Sequence, residues 1–281
     1  TQFGKEHKFK TINNYQSFRD QIPVRSYEQL EHYITKIRLG GKNILWPGEV
    51  KWFAKSSGTT NSKSKFIPIT KEALKECHFK AGKDMLALYE NNFPKKNIYN
   101  GRGLMLGGSL IKKRNQKYTD GDLSAILLDQ LPYWVNYHRV PDIKTALMQD
   151  WEKKIDKIAN QALQKNITNI TGVPSWMLIL LKKIIELSGK KNLSEIWPNL
   201  ELYMHGGVNF KPYQKQFEKI IPKKKINYLE GYNASEGFIA IQDKNPSEGL
   251  LLMLNYGIFY EFIPMEKYFQ EKYDAITLEN V

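Results

Sequence analysis

Residues 53–70 read Phe-Ala-Lys-Ser-Ser-Gly-Thr-Thr-Asn-Ser-Lys-Ser-Lys-Phe-Ile-Pro-Ile-Thr. Two apolar runs that can form strands flank a segment of hydroxyl side chains, one glycine and three lysines. Pro68 disfavours a helix at the residue before it, so the run around it is predicted to be extended. We therefore expect strands at 52–56 and 64–69, joined by a loop, with a helix beginning after Thr70, a good N-cap residue.

The loop between these two strands has the composition of a phosphate-binding loop. Its backbone N–H groups, hydroxyls and ammonium groups can all donate to a polyphosphate, and its glycine lets the backbone approach closely. A polar hairpin tip would have the same composition, because Ser, Thr, Asn and Gly also favour turns. The P-loop of nucleotide hydrolases is excluded, since Ser57 and Ser62 stand where that motif needs glycine and no helix follows directly.

The composition describes a large globular chain with an excess of basic residues. It has 281 residues, 41% of them hydrophobic, and no uninterrupted apolar run reaches membrane-spanning length. The formal net charge of +13 would suit a nucleic acid or another polyanion, but the lysines are spread along the whole chain. The five histidines show no Cys/His pairing at metal-ligand spacing. The single cysteine, Cys77, rules out an internal disulfide and is compatible with a reducing cytoplasm.

Helical and strand-like segments alternate along the chain. Helices are predicted within 12–40 and at 71–90, 143–165, 178–187 and 212–220. Strands are predicted at 102–111, where a buried run opens into a glycine turn, and at 200–205, 226–230, 238–242 and 250–254. The helix at 143–165 is amphipathic, with eight apolar positions from Ile143 to Ala162 on one side. This alternation predicts a layered α/β fold in which sheets are flanked by helices.

Two further segments place glycines directly after predicted strands. The first is Met204–Phe210, which contains His-Gly-Gly-Val at 205–208. The second is the tight segment Gly231–Gly237, Gly-Tyr-Asn-Ala-Ser-Glu-Gly, between two apolar strands. A tyrosine face can stack on a base, and a carboxylate can hold Mg²⁺. Each segment alone could equally be an ordinary turn, the second with a solvated glutamate.

Taken in order, these segments resemble the adenylate-forming enzymes, the superfamily of acyl-CoA synthetases, peptide-synthetase adenylation domains and luciferase. The chain is more closely similar to the auxin-responsive (Gretchen Hagen family) acyl acid amido synthetases of plants and their bacterial relatives, especially the bacterial branch. The resemblance runs along the whole chain, and four motifs carry it: Phe53–Thr60, Gly172–Trp176, His205–Val208 and Tyr232–Gly237. It implies the fold of the large N-terminal domain of those enzymes, which binds ATP and the acyl group.

The resemblance implies a role for each motif. The loop between the first two predicted strands, which we call the hydroxyl loop, would hold the β- and γ-phosphates of ATP. The residues that do so would be Ser56, Ser57, Gly58, Thr59 and Thr60, and Lys63 and Lys65 would add charge if they are not simply solvated. The rest of the nucleotide site would come from Gly206, Gly207, Gly231, Tyr232, Asn233, Ala234, Ser235 and Glu236. Within it, Tyr232 would lie against the adenine, Ser235 near the α-phosphate, and Glu236 would hold Mg²⁺. The acyl pocket would be lined by Val173, Pro174, Trp176, Gly207 and Val208, although core packing is an alternative explanation of the first three.

The family extends beyond the stretch that resembles it here. After its Glu motif come a Gly-Asp motif, whose aspartate binds ribose, and a small C-terminal domain with a lysine important for adenylation. Neither is found before Val281, and the sequence does not start with methionine. Residues 1–281 are therefore interpreted as the N-terminal domain, incomplete at both ends and without the C-terminal domain. No catalytic residue is assigned within them, and the isolated stretch is expected to be inactive.

The predicted function is that of a cytoplasmic ATP-dependent acyl acid amido synthetase, a ligase that uses Mg²⁺. It would activate a small carboxylic acid as its acyl-adenylate and transfer the acyl group to an amine or amino acid, mostly through positioning and electrostatics. Two alternatives stay open: an acyl-CoA ligase, which differs in its thiol acceptor, and a noncatalytic basic module that binds a polyanion. Neither a specific nucleic acid nor a membrane is expected as a partner. The acid, the acceptor and the oligomeric state are not specified by the sequence.

Overall fold

The computed structural model describes residues 1–56, 64–95, 98–112, 117–222, 226–244, 249–270 and 273–281. The helices are α1 (Gln2–Glu6), α2 (Tyr15–Gln21), α3 (Tyr27–Arg38), α4 (Phe79–Asn92), α5 (Leu123–Gln130), α6 (Ile143–Ala146), α7 (Trp151–Leu163), α8 (Pro174–Ser188), α9 (Leu193–Ile196), α10 (Lys211–Ile220) and α11 (Met265–Phe269). A π-helical segment, Ala73–His78, leads directly into α4. None of the helices in this described part of the chain is both long and apolar enough to cross a membrane.

The strands within the described residues form two sheets. They are β1 (Trp52–Ser56), β2 (Lys65–Ile69), β3 (Arg102–Met105), β4 (Leu110–Ile111), β5 (Thr119–Gly121), β6 (Arg139–Val140), β7 (Ile167–Thr171), β8 (Leu202–Gly206), β9 (Asn227–Ala234), β10 (Gly237–Ile241) and β11 (Leu251–Leu252). One sheet has the order β2-β1-β5-β4, and the other has the order β11-β10-β9-β8-β7-β3-β6. The chain therefore leaves the first sheet for β3, returns to it for β4 and β5, and leaves it again for β6.

In the larger sheet, β6, β3, β7, β8 and β9 run parallel, and β10 and β11 complete it in antiparallel fashion. The carboxyl ends of the parallel strands therefore meet at one edge, which we call the carboxyl edge. In open α/β sheets this edge is where ligands bind.

The two strands and the helical segment predicted around the first motif are confirmed, while residues 57–63 between the strands lie outside the described residues. β1 and β2 pair antiparallel, with Trp52 opposite Ile69 and Ser56 opposite Lys65. The Oγ1 of Thr70 then accepts the backbone N–H of Ala73 at 3.0 Å and caps the helical segment that follows. Since Lys65–Ile69 is a strand, the arrangement of a P-loop hydrolase, with a helix directly after the loop, is not the one found.

The larger sheet is a layer between helices, which confirms the predicted α/β class. The core on one face lies under α7, α8 and α10, and it includes Ile158, Ala162, Leu180, Ile184, Tyr203 and Phe217. The core on the other face lies under α4 and the π-helical segment, and it includes Ala81, Met85, Tyr89, Leu202, Leu229 and Phe238. The apolar helix predicted at 178–187 is α8. It begins with a proline in its first turn and ends at Gly189, whose φ of +65° only glycine adopts easily.

The single helix predicted at 143–165 is wrong, because the structure has two helices there. Asp142 caps α6, where its Oδ1 accepts the backbone N–H of Thr145 at 3.0 Å. Asp150 caps α7 in the same way, with the N–H of Lys153 at 3.1 Å. An aspartate whose side chain bonds the first turn starts a new helix, so the apolar spacing continues across a break in the backbone.

Two predicted segments differ in extent from the structure. The buried strand predicted to open into a glycine turn within 102–111 is β3, which ends at Met105 before the glycines, and the end of that run forms β4 in the other sheet. The tight segment predicted at 231–237 is mostly strand, since β9 continues to Ala234. Only Ser235 and Glu236 form the turn of the β9–β10 hairpin. Antiparallel pairing with β10 keeps the residues before Ser235 extended.

Candidate functional site

The predicted motifs follow neighbouring strands at the carboxyl edge. Gly107 and Gly108 come after β3, and Gly172 comes directly after β7. Gly206 ends β8, and the Ser235–Glu236 turn follows β9. Because β3, β7, β8 and β9 are consecutive neighbours in the sheet, these turns form one row. The structure thus brings together three of the four segments that the sequence singled out.

Backbone packing requires glycine at the centre of this row. Gly206 and Gly231 lie opposite each other in the β8–β9 pair. A Cβ at Gly206 would lie 2.1 Å from the carbonyl oxygen of Gly231, and one at Gly231 would lie 2.9 Å from Phe238 Cζ. Gly207 turns the chain with a φ of +81°, and a Cβ there would lie 3.4 Å from Val173 Cγ2. The turns after β7 and β8 are therefore in contact.

An open surface lies beside the Gly206–Gly207 turn. Tyr232, in the strand next to it, is 54% exposed, and Val208 is 38% exposed. Gly207 itself is exposed and carries no side chain. An exposed aromatic ring next to a bare backbone turn can accept a flat apolar group on its face. This arrangement fits the base of a nucleotide.

Glu236 lies at the exposed tip of the β9–β10 hairpin. Within the described ranges, no group of three or more His, Cys, Asp or Glu side chains lies close enough to hold a metal ion. A cation at Glu236 would therefore have at most one further ligand of these types from the described residues. Mg²⁺ accepts such a site, because it keeps several waters and often takes its other ligands from substrate phosphates.

Asn233, in the same motif, is held from the opposite side of the sheet. His78 Nδ1 donates to the Oδ1 of Asn233 at 3.0 Å. Burial lowers the pKa of His78 and so favours its neutral form. His78 belongs to the π-helical segment that follows β2, and such segments are frequent at functional sites. This contact, which the sequence does not predict, ties the hairpin to the stretch that follows β2.

The residues predicted to line an acyl pocket do not all lie at the carboxyl edge. Val173 precedes α8 and touches the Gly207 turn, so it lies at the carboxyl edge. Pro174 is buried in the first turn of α8. Trp176 packs edge-on against Trp151 of α7, with ring centroids 5.4 Å apart. Packing between α7 and α8 therefore explains where Trp176 lies, and Pro174 is a buried residue at the start of α8.

The hydroxyl loop is described only at its two ends. Ser56 is the last residue of β1, whereas Ser57, Gly58, Thr59, Thr60 and Lys63 lie outside the described residues. Lys65 begins β2, and its Nζ lies 3.4 Å from Glu28 Oε1 and 5.3 Å from the ring centroid of Tyr27. The charge of Lys65 is thus directed towards α3.

Contacts through β5 place the end of β1 near the carboxyl edge. β1 and β5 are parallel, with Ala54 opposite Gly121, so Ser56 and Asp122 leave the sheet on the same side. The Oδ2 of Asp122 accepts the backbone N–H of Ser109 at 2.8 Å. Ser109 follows the two glycines at the end of β3. The stretch that begins after Ser56 therefore leaves its sheet beside the turns of the other sheet.

Lys154 is buried next to the turn that follows β3, and it was not among the residues that the sequence singled out. It is 1% exposed, and its Nζ donates to the carbonyl oxygens of Gly107 at 2.7 Å and Gly108 at 2.6 Å. Burial lowers its pKa from 10.5 to about 8, against a smaller opposing effect of the Asp122 carboxylate. The sequence does contain a signal of this burial. Lys154 lies three residues after Trp151 and four before Ile158, so it falls on the apolar face of the helix.

The pKa of Lys154 predicts a specific pH dependence of stability. Between pH 8 and pH 10.5 the unfolded chain keeps the Lys154 proton while the folded chain releases it, so the free energy of unfolding rises with pH. Relative to Lys154→Met, the wild type should gain about 1 kcal/mol between pH 8 and pH 9. Urea denaturation of both proteins at several pH values measures this difference and removes the shared effect of the tyrosines. Parallel curves would contradict the lowered pKa.

Comparison with known proteins agrees with these observations. A model of the GH3 family N-terminal domain matches residues 1–226. The chain is 32% identical over 111 residues to the jasmonoyl-L-amino acid synthetase JAR6 of Nicotiana attenuata, and 32% identical over 110 residues to JAR4 of the same species. Each of these matches covers 39% of this chain and 18% of the relative.

Solved structures share the fold at low sequence identity. A GH3.15 acyl acid amido synthetase in complex with 2,4-DB aligns with a TM-score of 0.76 at 15% identity, over 100% of this chain and 58% of that one. An open conformation of 2-hydroxyisobutyryl-CoA ligase, in complex with 2-HIB-AMP and CoA, aligns with a TM-score of 0.53 at 8% identity, over 89% of this chain and 53% of that one. The chain therefore spans little more than half of these structures.

These findings confirm the resemblance to the amido synthetases, while the assignment to the bacterial branch stays a prediction. The family model matches most of the chain. On this evidence, the chain belongs to the GH3 family.

Proposed function

We propose that this chain is the ATP- and acyl-binding part of an acyl acid amido synthetase. The proposal rests on the arrangement at the carboxyl edge in a chain of the GH3 family. The Gly206–Gly207 turn, which has no side chains, lies beside the exposed Tyr232 of β9, and Glu236 follows in the β9–β10 hairpin. The relatives named above are amido synthetases and a CoA ligase, which supports a ligase.

In the proposed site the nucleotide lies along the carboxyl edge. Its adenine packs between the Tyr232 ring and the Gly206–Gly207 backbone, with Gly231, Asn233 and Ala234 shaping the strand beneath. Ser235 is near the α-phosphate. The β- and γ-phosphates extend towards the end of β1, where Ser56 and the hydroxyl loop that follows it, Ser57 to Thr60 with Lys63, donate hydrogen bonds and positive charge. Lys65, engaged by α3, contributes charge from a greater distance.

The acyl group would lie where the turns after β7 and β8 touch. Val173, Gly207 and Val208 form the surface of this part of the site, and Val173 and Val208 provide apolar contact. Trp176 supports it from within the α7–α8 packing, and Pro174 supports it from the buried first turn of α8. An apolar surface beside a nucleotide site suits a small carboxylic acid with a hydrophobic body.

The chemistry follows from the poor reactivity of a carboxylate. Attack of a carboxylate oxygen on the α-phosphorus of ATP releases pyrophosphate and gives the acyl group AMP as a leaving group. The nitrogen of an amine or amino acid then attacks the acyl carbon, AMP leaves, and the amine loses a proton. The chain contributes mainly by positioning both substrates and by directing donors at the phosphates. Mg²⁺, with Glu236 as a ligand, would supply further charge neutralisation.

One alternative has specific support. The fold is also that of a CoA ligase, so the fold does not separate an amine acceptor from a thiol acceptor. We favour an amine because the curated relatives are jasmonoyl-L-amino acid synthetases and the family model is that of GH3 proteins. The proposed compartment is the cytoplasm, which suits a chain with one cysteine and no need for a disulfide.

An exchange assay tests the proposal. The full-length protein that contains this sequence is incubated with ATP, Mg²⁺ and labelled pyrophosphate in the presence of aryl, indolyl or fatty acids. We expect acid-dependent incorporation of label into ATP, and amide formation when amino acids but not CoA are added. Thioester formation with CoA would support the alternative ligase. Absence of exchange in a folded protein, together with strongly salt-dependent binding of polyanions, would overturn the proposal in favour of a basic binding module.

A further inference from the structure

Lys154 is buried in a place where nothing in the proposed chemistry calls for a cation. Its amine lies against the carbonyl oxygens of Gly107 and Gly108, and the side chain is 1% exposed. Burying an amine costs free energy unless its hydrogen bonds are satisfied. Two short bonds to consecutive backbone carbonyls satisfy two of its N–H donors and hold the backbone at that point.

The backbone that Lys154 contacts is also held from the other side. The N–H of Gly108 donates to Ser124 Oγ at 2.9 Å, and the N–H of Ser109 donates to Asp122 Oδ2 at 2.8 Å. A Cβ at Gly108 would lie 2.0 Å from the Asp122 carboxylate, so only glycine allows this approach. We call the stretch 107–109 the glycine connection. The carbonyls of Gly107 and Gly108 are held by Lys154 of α7, and the N–H groups of Gly108 and Ser109 are held by Ser124 and Asp122 at the start of α5.

The glycine connection joins the two sheets, because it runs from β3 to β4. At the β3 end, the backbone N–H of Leu106 donates to Thr171 O at 3.0 Å, next to the turn that carries Val173. At the β4 end, Asp122 and Ser124 follow β5, which pairs with β1. The proposed acyl and adenine region lies on one side of the connection, and the end of β1, where the proposed phosphate loop begins, lies on the other.

We infer that Lys154 is a positioning residue for the proposed reaction, holding the glycine connection so that the two parts of the site keep a fixed relation. It does not touch a substrate. Its side chain acts through the carbonyls of Gly107 and Gly108, which are themselves buried. This inference rests on the proposed function for its effect on activity, but its structural part can be measured independently.

The first test compares Lys154→Met with Lys157→Met in the full-length protein. Lys157 is an exposed residue of the same helix, so its change controls for the loss of a lysine from α7. Hydrogen exchange followed by mass spectrometry reports on peptides that contain residues 107–109. We expect faster exchange there in Lys154→Met only, and a loss of up to about 100-fold in kcat/KM for pyrophosphate exchange, since displacement of about 1 Å can have this effect. Unchanged protection of residues 107–109 would overturn the inference.

A second test separates positioning from general destabilisation. Ser124→Ala removes the bond to Gly108 on the opposite side of the connection, so its effect on kcat/KM should not add to that of Lys154→Met. Lys154→Arg, which can donate to both carbonyls, should recover part of the activity. If Lys154→Met fails to fold, Lys154→Arg is the variant that is compared with the wild type. Fully additive effects, or no recovery in a folded Lys154→Arg protein, would count against positioning. If none of the tested acids supports pyrophosphate exchange by the wild type, the proposed function fails. Hydrogen exchange at residues 107–109 then decides by itself whether Lys154 holds the glycine connection.

Discussion

Glu236→Gln should lower Mg²⁺-dependent pyrophosphate exchange by about 10²–10³-fold while the protein stays folded. The substitution keeps the size of the side chain and removes the charge that would hold the metal beside the phosphates. Glu236 is exposed at a hairpin tip, so no large loss of stability is expected. Exchange rates measured over a range of Mg²⁺ concentrations test this prediction.

The matched control for this experiment is Glu218→Gln. Glu218 is an exposed glutamate of α10, outside every motif that the proposal uses. Its loss should leave the rate and the Mg²⁺ dependence unchanged. A Glu236→Gln protein that keeps both the rate and the Mg²⁺ dependence of the wild type would show that Glu236 is not the metal ligand.

Leu180→Ala should lower the free energy of unfolding by about 2–5 kcal/mol. Leu180 is fully buried in α8, in the core between that helix and the larger sheet. Truncation removes apolar contact and leaves a cavity that the surrounding helices and sheet fill only in part. Urea denaturation measures the loss.

The neighbouring residue in the same helix is the control. Ile179 is 51% exposed, so Ile179→Ala should cost much less, about 0.5 kcal/mol. Both changes alter helix propensity in a similar way, and their difference therefore reports burial. Equal losses of unfolding free energy for the two variants would mean that Leu180 does not lie on the face of α8 that packs against the sheet.

The sequence predicted the elements whose local signals agree with their tertiary surroundings. Pro68 kept β2 extended, and Thr70 capped the helix that follows. The apolar run of α8, bounded by Pro174 and Gly189, was identified as a buried helix. In each case one local property, a proline or a cap, decides between helix and strand without help from distant residues.

The predictions that failed depend on partners distant in sequence. The sequence predicts a tight segment at Gly231–Gly237 between two strands, yet pairing with β8 and β10 makes most of it strand. Lys154 and His78 were missed for the same reason, since their partners, Gly107 and Asn233, come from other elements. Periodicity places a residue on a face of a helix but does not identify what that face meets.

The way the chain alternates between the two sheets has a consequence for how it folds. β3 belongs to one sheet, while β1 and β2 before it and β4 and β5 after it belong to the other. Neither sheet can form from a continuous piece of chain, because β5 must reach back to β1 and β7 must reach back to β3. Such long-range parallel pairing makes folding slow, since chain entropy is lost before the contacts form. Because the strands of the two sheets interleave along the chain, unfolding of one sheet is expected to disturb the other.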